Sequence, residues 1–190
     1  MNAITEIKPA NLINGIDLDA VGALVGGVVE DPAKAMTHWK VATKWQGQTW
    51  SRHTVEGYDM GGQHYARPFT IDIDEPLELG GQNRFANPQE YLLAALNACL
   101  TVGYTVQCSL RGIVIESLEI ETSGDIDLHG FFGLDPSVSP GYDALQTVVR
   151  IKGSGTPEQF AEVHAAVKAT SPNLHNITKA IVDQPRLVIE

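Results

Sequence analysis

The clearest local signal in the chain lies at residues 87–99, which read Asn-Pro-Gln-Glu-Tyr-Leu-Leu-Ala-Ala-Leu-Asn-Ala-Cys. Asn87 is a favoured helix-capping residue, Pro88 suits the first helical position, and Glu90 completes the pattern of a capping box. The sequence therefore predicts a helix that begins here and runs to about Gly112. Because its residues are apolar on nearly every face, we expect this helix to lie in the middle of the fold.

Strand-like segments lie on both sides of this helix. Alternating or β-tolerant residues predict strands before it, at 41–45, 49–55 and 69–73, with a loop at 57–63. After it, half-buried strands are expected at 113–126 and 145–152, and a last strand at 186–189. Two further helices are expected to begin at the caps Thr156 and Ser171. This order of elements indicates an α+β fold.

Residues 1–36 differ in composition from the rest of the chain. A short helix is expected from Ala20 to Val29, capped by Asp17 or Asp19 and ending before Asp31-Pro32. We interpret residues 1–36 as a helical extension packed on one domain that covers residues 37–190.

Composition and charge exclude several classes of protein. Of 190 residues, 43% are hydrophobic, and 23 acidic against 13 basic side chains give a net charge of -10, which disfavours binding to nucleic acid. The longest near-continuous apolar stretch, residues 91–106, is shorter than the roughly 20 residues of a membrane span. Residues 1–10 lack the features of a signal peptide, so we expect a cytoplasmic protein that does not bind membranes.

The two cysteines are too few for a disulfide scaffold. Nine residues apart on one helix, Cys99 and Cys108 face in opposite directions, which excludes a disulfide between them. Cys108 is expected to be a packed thiol, and composition alone favours the same for Cys99 over a reactive role.

The histidines show no zinc spacing, so no metal or cofactor is expected. The apolar loop at 130–141 is either part of a core or a partner surface.

Residues 74–81, Asp-Glu-Pro-Leu-Glu-Leu-Gly-Gly, followed by the helix at 87–99, resemble the OsmC/Ohr family of osmotically inducible and organic-hydroperoxide-resistance proteins. The resemblance extends from about Thr37 to Ile189. It implies the OsmC-like fold, with antiparallel sheets packed around a buried central helix. It also implies an intertwined homodimer with its sites at the subunit boundary.

The resemblance implies that Cys99 is the peroxide-reactive cysteine and that an arginine keeps it anionic, either Arg52 or Arg67. The family's tethering glutamate falls on Gln89, with a carboxylate one place later at Glu90. The second, resolving cysteine is replaced by Ser171, which cannot form a disulfide. An external thiol reductant, such as a lipoyl-type dithiol, would then have to restore Cys99.

The resemblance therefore implies a thiol-dependent peroxidase that reduces organic or hydrogen peroxides through Cys99 without a cofactor. The alternative is a redox-sensing or small-ligand-binding protein that keeps the family fold without catalysis. A third interpretation is a structural dimer with an inert cysteine.

Overall fold

The computed structural model describes residues 11–189 of the chain. These residues form two compact units, divided between Leu92 and Leu93 inside a long helix. The expected domain boundary after residue 36 stays a prediction. The expectation that residues 1–10 carry no signal peptide lies outside the described residues.

The first unit begins with a small hairpin and a helix. Strand β1, Leu12–Ile13, pairs with β2, Ile16–Asp17, and helix α1 follows at Leu18–Glu30. The Asp17 carboxylate accepts the backbone N–H groups of the first turn at 3.0 and 3.1 Å, so Asp17 is the cap. This confirms the predicted helix, while its packing on the domain stays a prediction.

The first unit also contains a four-stranded antiparallel sheet. Its strands are β3, Thr37–Trp39; β4, Ala42–Gly47; β5, Trp50–Met60; and β6, Gln63–Ile73. Strand β5 pairs with β3 and β4 along one edge and with β6 along the other.

The predicted loop at 57–63 is wrong, because β5 continues to Met60 and β6 begins at Gln63. The chain reverses within Gly61 and Gly62, whose φ angles are 57° and 79°. Glycine adopts this left-handed backbone without strain, and two such residues in succession suit the tight turn of a twisted hairpin. The turn therefore needs only two residues, and strand pairing occupies the rest of the segment.

The second unit packs helices on a β-hairpin. Helix α2, Pro88–Leu110, enters it at Leu93, and strands β7, Ile115–Ser123, and β8, Gln146–Gly153, pair antiparallel. The remaining helices are α3, Leu128–Phe131; α4, Pro157–Thr170; and α5, Pro172–Thr178. Thr156 and Ser171 cap α4 and α5, as predicted. The buried core consists of Leu96, Leu100, Tyr104, Cys108, Ile113, Val163 and Val167.

Helix α2 buries one stripe of side chains in this core. Its core residues recur every fourth position, which places them on one helix face. Val102 and Leu110 on the same helix remain 63% and 51% exposed, so α2 is not buried on nearly every face as expected. By length and composition alone, α2 would suffice to cross a membrane, but this is weak evidence because core helices of soluble proteins pass the same test.

The strand predicted at residues 186–189 does not form, because residues 180–189 contain neither helix nor strand. A strand needs a neighbour to satisfy its backbone groups, and none of the strands between residues 11 and 189 pairs with this segment. Leu187 and Ile189 are more than four-fifths exposed.

Candidate functional site

Cys99 lies about three turns into α2 and is half-buried. Its Sγ atom is 3.3 Å from the hydroxyl oxygen of Ser171, at the junction of α4 and α5. Ser171 is only 6% exposed, and its Oγ also accepts the backbone N–H of Leu174 at 3.3 Å. Ser171, which the family resemblance aligns with the second cysteine, is therefore the direct polar neighbour of Cys99.

Backbone and side-chain hydrogen bonds fix Ser171 in this position. Its N–H donates to the Val167 carbonyl at 2.9 Å, and its own carbonyl accepts the His175 N–H at 3.0 Å. Two residues later, the Asn173 side chain donates to the Ala95 carbonyl on α2 at 2.8 Å. The start of α5 thus contacts α2 at two positions one turn apart, at Ala95 and Cys99.

Cys108 lies on the buried stripe of α2 and is 0% exposed. Burial raises the pKa of the Cys108 thiol, which disfavours the thiolate needed for reaction with a peroxide. Both cysteines are free thiols. These facts confirm the predicted packing role of Cys108 and the absence of a disulfide between the pair.

A pocket of about 280 Å³ in the second unit was not anticipated from the sequence. Within it, Tyr104, 3% exposed, hydrogen-bonds through its hydroxyl to Nδ1 of His164. Burial raises the pKa of Tyr104, which keeps its hydroxyl neutral. The periodicity of α2 signalled Tyr104 as a core residue, but its partner lies 60 positions away. The pocket is lined by Leu100, Tyr104, Leu145, Thr147, Val149, His164, Val167, Lys168 and Leu174.

Arg52 forms a two-pronged ion pair with Asp72 in the first unit. Its Nε and Nη2 donate to the two carboxylate oxygens at 2.9 and 3.1 Å, and the Trp50 indole donates to the same carboxylate at 2.9 Å. The Arg52 guanidinium, followed by the Trp50 N–H, lowers the pKa of Asp72, which remains ionised and holds the cation. Arg52 is thereby tethered by a carboxylate on the neighbouring strand.

The other predicted site residues of the first unit are Arg67, Gln89 and Glu90. The guanidinium of Arg67 lies over the ring of Phe69, 4.8 Å from its centroid. The Glu90 carboxylate accepts the Asn87 N–H at 2.7 Å, and the Asn87 side chain accepts the Glu90 N–H at 2.8 Å, which completes the predicted capping box. Gln89 is half-buried in the first helical turn. Which arginine assists Cys99 stays a prediction.

Asp72 was missed because nothing in the local sequence separates it from other strand carboxylates. The signal lies in the register, since Asp72 is directly opposite Arg52 across β5 and β6. Asp74, in the segment that carried the family resemblance, is 1% exposed and accepts the Thr49 hydroxyl at 2.7 Å. It also accepts the N–H groups of Glu75 and Gln82, so it closes the following loop.

Within residues 11–189, no group of three or more histidine, cysteine, aspartate or glutamate side chains is placed to hold a metal ion. The chemistry available at Cys99 is that of a partly exposed thiol beside a hydroxyl. Such a pair can attack an electrophile through sulfur.

Comparison with known proteins places these features in a family. The family model described as OsmC-like protein matches residues 81–183, more than half of the chain. An OsmC-like protein from Mycoplasma pneumoniae is 14% identical, with 74% of this chain and 86% of that chain covered and a TM-score of 0.52. A protein of Psychrobacter arcticus 273-4, described in terms of osmotic stress induction and a detoxification response, is 15% identical, with 70% and 84% covered and a TM-score of 0.51.

No curated protein gave a significant match. At such identities the two crystal structures show the fold alone, and they confirm the predicted α+β, OsmC-like architecture with antiparallel sheets. The family model matches the sequence itself, across α2, Cys99 and Ser171. This chain belongs to the OsmC-like protein family.

Proposed function

We propose that this protein acts in the response to peroxide stress, as a one-cysteine peroxidase that reduces organic or hydrogen peroxides. The observation that carries the proposal is the half-buried Cys99 sulfur with a hydroxyl 3.3 Å away, in a member of the OsmC-like family. Cys108 is sealed in the core, so Cys99 is the sulfur available to a substrate.

The reaction begins when the Cys99 thiolate attacks one oxygen of the peroxide. A sulfur–oxygen bond forms, the O–O bond breaks, and the leaving alkoxide or hydroxide takes a proton to become an alcohol or water. Cys99 is oxidised to a sulfenic acid while the peroxide is reduced.

Restoration of Cys99 requires a thiol from outside the chain, because Ser171 cannot form a disulfide. A first external thiol condenses with the sulfenic acid, forming a mixed disulfide and releasing water. A second thiolate attacks the external sulfur of that bond, releases the Cys99 thiolate and leaves the reductant oxidised. A lipoyl-type dithiol would supply both thiols in one molecule.

A positive charge near the sulfur favours the thiolate, and we assign this role to Arg52 or Arg67. Arg52 is held in a fixed direction by Asp72, which supports it as the better-ordered candidate. Gln89 and Glu90 belong to the start of the helix that carries Cys99, where Glu90 serves as part of the cap.

We further propose that the protein is a cytoplasmic homodimer. The exposed apolar side chains of α2, Val102 and Leu110, and of the chain end, Leu187 and Ile189, support burial against a second copy. Its net charge of -10 favours small peroxides and thiols over nucleic acid as partners.

The loss of the second cysteine also favours a different function, that of a redox sensor. A sensor would form the sulfenic acid once per chain and keep it until a partner reads or removes it. Mass spectrometry after one equivalent of peroxide, combined with turnover, separates the two functions.

The test is a peroxidase assay with cumene hydroperoxide, tert-butyl hydroperoxide or hydrogen peroxide, and dihydrolipoamide or dithiothreitol as reductant. The parent protein should consume peroxide over many turnovers, and C99S should not exceed the reaction without protein. Equal rates for parent and C99S would refute the peroxidase. One sulfenylation per chain without turnover would favour the sensor, and a native Cys99 that resists iodoacetamide would favour an inert cysteine.

A further inference from the structure

We infer that Ser171 is a positioning residue whose hydroxyl donates a hydrogen bond to the Cys99 sulfur when the thiolate forms, and so fixes the sulfur for reaction. The inference deepens the proposed function and rests on it for its catalytic meaning. The inference concerns the reactivity of the Cys99 sulfur, which can be measured without a peroxide.

The direction of the hydrogen bond follows from the other partners of Ser171. A serine hydroxyl has one proton to donate and two lone pairs. The Leu174 N–H already donates to this oxygen at 3.3 Å, so one lone pair is occupied by the helix cap. A thiolate can only accept, and it lies 3.3 Å away. The Ser171 proton therefore points to Cys99 when the sulfur is charged.

The same cap strengthens the donor. A hydroxyl that accepts a hydrogen bond becomes a better donor, because successive hydrogen bonds polarise one another. Hydrogen bonds to a charged group are also stronger than those between neutral groups. The contact consequently favours the thiolate over the thiol.

Neighbouring hydrogen bonds hold the Ser171 hydroxyl close to the Cys99 sulfur. The backbone of Ser171 is fixed at both its N–H and its carbonyl, and Asn173 ties the same helix turn to Ala95. With 6% of its surface exposed, Ser171 has little access to water as a competing partner. Little conformational freedom remains to be lost when the thiolate forms, so most of the hydrogen-bond energy is retained.

The test compares alkylation of Cys99 by iodoacetamide across a range of pH, with the modified residue identified by mass spectrometry. S171A removes the donor, S171T keeps a hydroxyl, and T156A is the matched control. Thr156 is likewise a hydroxyl cap, on α4, but its oxygen serves the Gln159 N–H at 3.3 Å. The assay uses the full chain in its native oligomeric state.

S171A should alkylate roughly threefold to tenfold more slowly at neutral pH, with the midpoint of its pH profile moved to higher pH. S171T and T156A should stay within about twofold of the parent and keep its midpoint. An S171A profile that matches the parent would overturn the inference, as would an equal shift in T156A, which would reduce the effect to helix destabilisation. Since alkylation needs no peroxide, an S171A shift in a protein without peroxidase turnover would sink the proposed function and leave this hydrogen bond standing.

Discussion

The contact between Cys99 and Ser171 predicts that S171C creates an intramolecular disulfide. The two side chains already approach to 3.3 Å, and they stand 72 positions apart in the sequence. In the chain-entropy model, closing a loop of that length stabilises the folded state by about 4 kcal/mol. For a domain of this size, that corresponds to a rise in melting temperature of roughly 8–16 °C.

The assay oxidises S171C with diamide and counts free thiols in denaturant. The reduced variant has three thiols, the two native cysteines and the introduced one, and the oxidised variant should retain only Cys108. Peptide mapping should find the Cys99 peptide linked to the peptide that carries the substitution. Melting curves with and without reductant then give the stabilisation, for which 4 kcal/mol is an upper value because engineered disulfides commonly deliver less.

The control is S171A, which loses the same hydroxyl and should keep two free thiols after the same treatment. If S171C retains three thiols, or links only between chains, then Cys99 and Ser171 are not neighbours in solution. That result would remove the geometric basis of both the proposed one-cysteine cycle and the hydrogen bond from Ser171.

Three further predictions concern the packing and ionisation of single side chains. Iodoacetamide at neutral pH should label Cys99 alone in the native protein and also Cys108 after denaturation; native labelling of Cys108 first would contradict its burial. By urea denaturation, L96A should lose about 2–5 kcal/mol and L110A less than about 1 kcal/mol, because Leu96 is 1% and Leu110 51% exposed; equal losses would refute the buried stripe. The hydrogen bond from Thr49 is the largest cause that lowers the pKa of Asp74, so the carboxylate stabilises the fold above its ordinary pKa of 3.8, and that contribution is lost as pH falls through the lowered value. D74N should therefore have a lower melting temperature than the parent at neutral pH, and its melting temperature should fall less on acidification. If the melting temperatures of D74N and the parent change in parallel with pH, the assignment is refuted.

Local features of the sequence were sufficient for the helices. The caps at Asn87, Thr156 and Ser171 depend on side chains within three residues of the cap, so the pattern contains the whole interaction. The buried stripe of α2 does not follow from the sequence, because the apolar residues of this helix lie on nearly every face. What period alone could not give is which faces remain exposed, because that depends on partners distant in sequence.

Two errors had the same physical origin, since a strand is defined by its partner. The sequence predicts a loop that starts at Gly57, yet Gly57 lies within β5, opposite Ala66 of β6. Residues 186–189 have a strand-like composition but no partner strand among residues 11–189, and they remain irregular. Pairing energy is non-local, so composition predicts the capacity to form a strand and not its occurrence.

In the candidate site, too, the sequence indicates single residues, whereas the pairs that they form are seen only in the structure. The family resemblance singled out Cys99 and Ser171 as candidates, and the structure adds that the two side chains touch. The Arg52–Asp72 pair required the strand register, and the Tyr104–His164 pair required the packing of α2 against α4. Each of these pairs joins residues at least 20 positions apart, beyond the reach of any local pattern.

The serine beside Cys99 also sets the vulnerability of the proposed catalyst. With its other cysteine locked in the core, the chain has no internal sulfur with which to shield an oxidised Cys99. Every interval before an outside thiol arrives is then open to a second peroxide, which would carry the sulfenic acid on to irreversible sulfinic acid. The lifetime of each molecule would be governed by the cell's thiol supply, and depletion of that supply would inactivate the protein permanently.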